Sequence, residues 1–276
     1  MLCQPRTGSC FVNFSSRTPR IVAARKLQRR KDRDQARRFL AEGPQAVRSA
    51  LAAGVVLELF GTDAALARHA DLAAQAEVVS AVTDDGLAAL AETVQPQGLV
   101  AVCAQIDVPL GAALAKAPRL VAVAVEIRDP GNAGTILRTA DAAGAAAVVF
   151  AGDAVDPYNG KCVRASAGSL FNVDVVRDRA PQSVVDDLRV HGVQVLAATG
   201  YGDADLEELL DDGALAAPTA WLFGSEAHGL SEELLVAADR RVRVPIYGGA
   251  ESLNLAAAAA VCLYASARAL RQESVR

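Results

Sequence analysis

Amides, a carboxylate and a guanidinium gather at three places in the second half of this 276-residue chain. They lie in Asn132-Ala-Gly-Thr-Ile-Leu-Arg138, Leu222-Phe-Gly-Ser-Glu-Ala-His-Gly-Leu230 and Val244-Pro-Ile-Tyr-Gly-Gly-Ala-Glu-Ser-Leu-Asn254. Each follows an apolar, strand-like run, where polar side chains and bare glycines can build a site without spoiling a core. In the first, Asp129-Pro130-Gly131 reads as a turn and Asn132 as the cap of a helix that carries Arg138 on another side. In the second, Gly224 would let a ligand approach the main chain, and Glu226 could accept hydrogen bonds from a substrate or from Arg138. In the third, Pro245 and two glycines leave backbone groups free for a ligand, and Ser252 reads as a helix cap. Each stretch also has a plain structural reading: a cap with a solvent-facing arginine, a tight turn with an exposed glutamate, and a cap over a buried Leu253. His228 reads as a surface side chain with no catalytic role.

Several chemistries lack their residues. There is no G-x-G-x-x-G turn after the first strand, no G-x-x-x-x-G-K-[ST] loop and no G-x-S-x-G elbow. That disfavours dinucleotide-dependent oxidoreduction, P-loop phosphate binding and serine hydrolysis. The five cysteines (Cys3, Cys10, Cys103, Cys162, Cys262) are scattered with no C-x-x-C pair, so idle or buried thiols in a reducing cytosol are expected, and no metal.

These residues need a scaffold, and composition supplies its class. Apolar residues make up 52% with few aromatics, as in an α/β protein whose helices pack through small side chains. No apolar run is clean enough for a membrane span, and the first sixteen residues do not read as a secretory signal, so a cytoplasmic chain is expected. The net charge is −4, yet the segment from Arg17 to Arg38 holds ten basic residues against two acids. Among them are Arg25, Lys26, Arg29, Arg30, Lys31, Arg37 and Arg38. A basic arm on an acidic body suggests a polyanionic partner; a solvated helix face is the alternative.

Residues 1–16 read as a disordered tail and residues 25–53 as largely helical, interrupted at Gly43-Pro44. Strands at 55–60, 78–79 and 98–104 alternate with helices at 63–69 and 84–91, giving a small α/β domain over 17–105. A linker or bridging helix at 106–118 leads to a second domain over 119–276. Its strands are expected at 120–126, 146–150, 173–176, 193–198, 219–223 and 241–245, with a final helix over 252–270. Continuous Val/Ala/Leu strands alternating with helices predict a parallel sheet covered on both faces.

Residues from about 119 to 270 resemble the SpoU (TrmH-type) branch of the SPOUT RNA ribose methyltransferases. The pattern N-x-G-x-I-x-R-T-A stands as Asn132, Gly134, Ile136, Arg138, Thr139 and Ala140. F-G-x-E-x-x-G-L stands as Phe223, Gly224, Glu226, Gly229 and Leu230, and Pro245, Ser252, Leu253 and Asn254 meet the third. The stretch from Asp156 to Gly168 is also similar, whereas Tyr247 departs from a common Met, with an effect expected on packing. Residues 20–104 are more loosely similar to the ribosomal-protein-like RNA-binding domain that precedes the knot in thiostrepton-resistance and related rRNA methyltransferases.

The resemblance implies an α/β domain with a deep trefoil knot around a parallel sheet, which base rates alone oppose. It implies S-adenosylmethionine held by Thr199, Gly200, Gly224, Val244, Ile246 and Leu253. It also implies a homodimer, no metal, and a catalytic set of Arg138, Asn132, Glu226, Ser252 and Asn254, with Arg138 in a site completed by the partner chain. The reaction would be displacement of the sulfonium methyl by a ribose 2′-oxygen, most readily in large-subunit rRNA. Because a guanidine rarely gives up its proton, Arg138 is expected to stabilise charge rather than act as a base. Three rivals stand beside this reading: a tRNA 2′-O-methyltransferase, a non-catalytic RNA-binding or ribosome-associated protein, and a cysteine-dependent base methyltransferase.

Overall fold

The basic segment does not run on as one helix. In the computed structural model, which describes residues 13–273, it forms two short helices, Pro19–Arg25 and Arg30–Ala36. Arg37 then takes a left-handed conformation (φ 53°) and the chain enters a strand, β1 (Arg38–Glu42). The expectation of helix through Phe39 and Leu40 is therefore corrected. Both side chains are buried, and their backbone pairs along a neighbouring strand, so tertiary pairing overrides local helical spacing. Gly43 (φ 91°) and Pro44 open the following helix, Pro44–Ala52.

One unit of the chain ends at Ala104. Its other strands are β2 (Val56–Gly61), β3 (Val79–Ala81) and β4 (Leu99–Ala104), in the order β1-β4-β2-β3, with β4 antiparallel to β1 and β2. Ile21, Leu27, Leu40, Phe60, Leu87 and Val100 share its core, each side chain contributing about 1.5–3 kcal/mol by burial. Arg33 is buried; its Nη1 donates to the carbonyls of Leu27 (3.0 Å) and Gln28 (2.9 Å) and so fixes the bend between the two basic helices. The expected tail, residues 1–16, lies outside the described residues up to position 12. Beyond it, the Phe14 N–H donates to Ala81 O (2.9 Å).

The second unit begins at Gln105. Its strands are β5 (Leu120–Val125), β6 (Ala147–Ala151), β7 (Asp174–Asp178), β8 (Gln194–Ala198), β9 (Ala204–Asp205), β10 (Thr219–Phe223) and β11 (Arg240–Arg243). They form one parallel sheet in the order β7-β6-β5-β10-β8-β11-β9. Val121, Val123 and Val125 pack with Leu110, Val184, Leu188 and Leu234 on one face. Alternate residues point to the other face, where the buried Trp221 donates through Nε1 to Ser266 of the last helix, Leu255–Glu273 (2.9 Å). The stretch 106–118 carries a helix, Leu110–Leu114, buried in the first of these faces, and Val108 N–H extends edge strand β7 by donating to Val175 O (2.9 Å). Among the described residues no helix is long and apolar enough to cross a membrane.

Candidate active site

In a parallel sheet all carboxyl ends lie along one edge, and this edge collects the polar stretches. Ala124, Phe223, Ala198 and Val242 are laterally paired across β5, β10, β8 and β11. The residues that follow, from Val125, Gly224, Thr199 and Arg243 onward, therefore emerge side by side. Strand order also reverses between β5 and β10, where β5 to β7 run one way across the sheet and the later strands lie on the other side.

The helix Pro130–Ala143 starts at this edge. Asp129, not Asn132, is its cap: Asp129 Oδ1 accepts from Gly131 N–H (2.9 Å), and Pro130 occupies the first turn, where no N–H is needed. The Asp-Pro pair was the signal that could have identified it. Asn132 is thereby free to reach sideways. Its Nδ2 donates to Glu226 Oε1 (2.8 Å), and its Oδ1 accepts from Asn254 Nδ2 (3.3 Å). Asn254 is in turn the cap of the last helix, accepting through Oδ1 from Ala256 N–H (2.9 Å) and Ala257 N–H (3.3 Å). Ser252, expected as that cap, is exposed and lies outside the helix.

Three distant stretches thus meet in one chain of hydrogen bonds, Glu226–Asn132–Asn254. Partial burial pushes the Glu226 carboxyl up, but the Asn132 amide and the N–H groups of Glu226, Arg128 and Asp129 outweigh it and hold it below its usual range. Glu226 is an anion at neutral pH, so it fixes which way the Asn132 amide points. Asn132 keeps one Nδ2 hydrogen and one Oδ1 lone pair for a ligand. Lys161 was not singled out from the sequence. It donates to Asp129 Oδ1 (2.8 Å), a contact that leads the causes holding that carboxyl down.

Arg138 is not part of this chain of bonds. Six residues beyond Asn132, it stands about 9 Å further along the helix, exposed, and the described residues offer it neither a hydrogen bond nor an ion pair. The anticipated contact with Glu226 is absent.

The glycines divide into two kinds. A Cβ at Gly224 would lie 2.2 Å from Gly229 C, so glycine there is required by the loop's own closure, which the Ser225–Gly229 backbone pair completes. Loop closure by itself accounts for glycine here and is compatible with ligand approach to its main chain as well. At Gly200 a Cβ would meet nothing within 4 Å, so the chain faces open space beside Thr199. Ile246 and Leu253 each leave 38% of their surface to solvent, and Val244 is half-buried. Free main chain and uncovered aliphatic side chains at strand ends suit a nucleoside-bearing ligand such as S-adenosylmethionine. Tyr247 does not pack as expected; it is 81% exposed, and its hydroxyl donates to Glu207 (2.6 Å).

Of the basic residues, Arg25, Lys26, Arg29, Arg30, Lys31, Arg37 and Arg38 are all exposed. Arg30 lies 3.8 Å from Asp34, whereas Arg25, Lys26, Arg29, Lys31 and Arg38 form no ion pair among the described residues. Cys103, Cys162 and Cys262 are buried, and burial raises each thiol, to about 12 for Cys262. Burial and a raised thiol both disfavour these three as nucleophiles. No cluster of metal-ligating side chains exists among the described residues.

The SpoU rRNA methylase family model matches residues 119–264, which covers every element of the site. The chain belongs to that family. An MRM3-like substrate-binding domain model matches residues 18–101. The 23S rRNA (guanosine(2553)-2′-O)-methyltransferase RlmP of Bacillus subtilis is 35% identical over 91% of this SpoU chain and 96% of its own length. The 23S rRNA (uridine(2479)-2′-O)-methyltransferase of Streptomyces viridochromogenes is 42% identical over 50% of the chain and 49% of its own length. Among solved structures, the AdoMet-bound rRNA methyltransferase of Sinorhizobium meliloti superposes with TM-score 0.80 at 32% identity, over 94% of this chain and 98% of that one. The SpoU methyltransferase AviRb of Streptomyces viridochromogenes, in complex with AdoMet, gives TM-score 0.81 at 30% identity over 93% and 100%.

Proposed function

We propose that this chain is an S-adenosylmethionine-dependent methyltransferase that modifies a ribose 2′-hydroxyl of large-subunit rRNA. The observation that carries the reading is the Glu226–Asn132–Asn254 network at the carboxyl ends of adjoining strands, beside the open Thr199-Gly200 and Ile246 surfaces. The matched relatives named for 23S rRNA 2′-O-methylation support the substrate class, and the AdoMet-bound neighbours support the donor.

When bound, the donor supplies an electrophilic methyl on a sulfonium; everything else falls to the protein. Thr199, Gly200, Gly224, Val244, Ile246 and Leu253 hold it through main chain and aliphatic contact. Asn132, pinned by Glu226 and Asn254, uses its remaining hydrogen and lone pair to orient the ribose, with Ser252 nearby in sequence as a further donor. Arg138 remains charged, binds a phosphate and offsets the negative charge that grows on the 2′-oxygen as its proton passes to solvent water.

The first domain, read as residues 17–105, serves as the RNA-binding domain, followed by 106–118 and the methyltransferase domain 119–276. Its exposed cations Arg25, Lys26, Arg29, Lys31 and Arg38 neutralise phosphates, and the 2′-hydroxyl distinguishes RNA from DNA. An rRNA substrate supports a cytoplasmic location. A homodimer is supported by the last helix, where Val261 (42% exposed) and Tyr264 (54%) leave an apolar stripe beside the helix that carries Arg138. An arginine without a partner among the described residues suits a site shared with a second copy. A trefoil knot is supported by strand placement: β11 lies between β8 and β9, which only residues 199–203 separate.

The test is transfer of labelled methyl from S-adenosylmethionine to large-subunit rRNA, followed by nucleoside analysis. A single 2′-O-methylnucleoside is expected. Label on a base would favour the base-methylating rival, and an RNA that binds without acquiring label would favour a non-catalytic protein.

A further inference from the structure

Strand β11 carries three arginines, and the stretch after β8 carries a run of acids; the two are fastened together. Arg241 Nη2 lies 2.9 Å from Asp203 Oδ2, and Arg243 Nε 3.4 Å from Asp205 Oδ2. Tyr247 hydroxyl donates to Glu207 (2.6 Å), and Arg240 lies 3.9 Å from Asp212. Beneath these contacts Val242 and Arg243 pair in parallel with Ala204 and Asp205, and Thr199 N–H donates to Val242 O (2.9 Å). At Gly202 an added Cβ would sit 2.5 Å from Arg243 N, so the turn lies directly on β11. Asp205 also caps the helix Leu206–Asp211 through a reciprocal capping box with Glu208.

The two segments so joined are the ones that expose Thr199-Gly200 and Val244–Ile246. We propose that Asp203, Asp205 and Glu207, through Arg241, Arg243 and Tyr247, are positioning residues that clamp the 199–203 turn and the 244–247 run into one rigid wall of the donor site. The inference rests on the donor reading above and deepens it. None of the six touches the donor in this account; they act by holding Thr199 and Ile246 at a fixed separation, so that binding does not have to order two loose segments. Tyr247, exposed apart from its hydroxyl bond to Glu207, is on this account a latch rather than a packing residue.

The contacts are exposed, so they weaken as salt rises. Donor affinity should therefore fall with ionic strength in the wild type. Asp203→Asn combined with Glu207→Gln should lower affinity by about three- to tenfold at low salt and flatten that dependence. Calorimetry with S-adenosylmethionine and with S-adenosylhomocysteine, which lacks the sulfonium charge, separates the clamp from simple attraction of a cation to acids. The clamp predicts equal loss for both; loss for the sulfonium alone would overturn it. Amide hydrogen exchange over 199–205 should quicken in the ligand-free variant, and the charge swap Asp203→Arg with Arg241→Asp should recover both exchange protection and affinity. Tyr247→Phe removes a single hydroxyl and should give a smaller loss of the same kind, which keeps the test open if the double variant does not fold. A wild type that binds while the variants bind equally well overturns the clamp alone. A wild type that takes up neither ligand overturns the donor reading, and the clamp with it.

Discussion

Two arginine-rich segments of this protein look alike in composition and do opposite things. Along residues 25–38, Arg25, Lys26, Arg29, Lys31 and Arg38 reach solvent with no acid among the described residues to meet them. Along β11, Arg241 and Arg243 each meet an aspartate brought up from 38 positions away. The first arrangement leaves charge available to an outside polyanion; the second consumes it in holding the chain. Formal charge in a sequence therefore says little until the acids that will face it are located. Arg33 makes the same point inside the basic segment, where it is buried and bonded to two carbonyls.

The comparison yields a rule that can be broken: a cation left without an acid among the described residues acts on a ligand, whereas a partnered group holds its neighbours in place, whatever else it touches. Its largest consequence concerns Arg138. Arg138→Ala should reduce methyl transfer by about 100- to 1000-fold in single-turnover assays, as for loss of one charge-stabilising donor, with melting temperature and donor binding little changed. Full activity would remove Arg138 from the chemistry. Next, neutralising Arg25, Arg29 and Lys31 together should weaken RNA binding and make the log–log salt slope shallower by about 2 to 3. The same treatment of Arg241 and Arg243 should leave that slope where it was; a matching change there would erase the distinction between the two segments.

A smaller effect tests the partnered class. Asn254→Ala removes both a helix cap and the donor to Asn132, and should cost about 1 kcal/mol of stability in chemical denaturation. Asn254→Asp keeps an acceptor for the cap, so it should recover most of that stability while activity stays low. Equal recovery of both would mean Asn254 matters only as a cap. The smallest effect is with pH. Because the folded Glu226 carboxyl ionises below the usual range, its bond to Asn132 is intact at neutral pH and is lost only as pH falls through that lowered value. The Asn132 side-chain amide signal should titrate there by NMR, and Glu226→Gln should abolish the titration.

Much of the second domain was legible because its strands are uninterrupted Val/Ala/Leu runs bounded by turn residues, and Thr219–Phe223 matches its expected limits. Strand β1 was not legible, since Phe39 and Leu40 have helical spacing with their neighbours and become strand only by pairing with β4. Strand β9 is two residues long and exists only because β11 lies beside it. At the site, Asn132, Glu226 and Asn254 were legible as polar residues at strand ends. Their mutual bonds were not, because they depend on which strands become neighbours. The cap at Asp129 was misassigned to Asn132, although the proline that follows it gave the cue.

The most direct test of the central claim is methyl transfer from isotopically labelled S-adenosylmethionine to large-subunit rRNA, read by mass spectrometry of the digested RNA. The account predicts one labelled 2′-O-methylnucleoside, absent when Arg138→Ala replaces the wild type. Label on a nucleobase, or no label on RNA that the wild type demonstrably binds together with the donor, would contradict it.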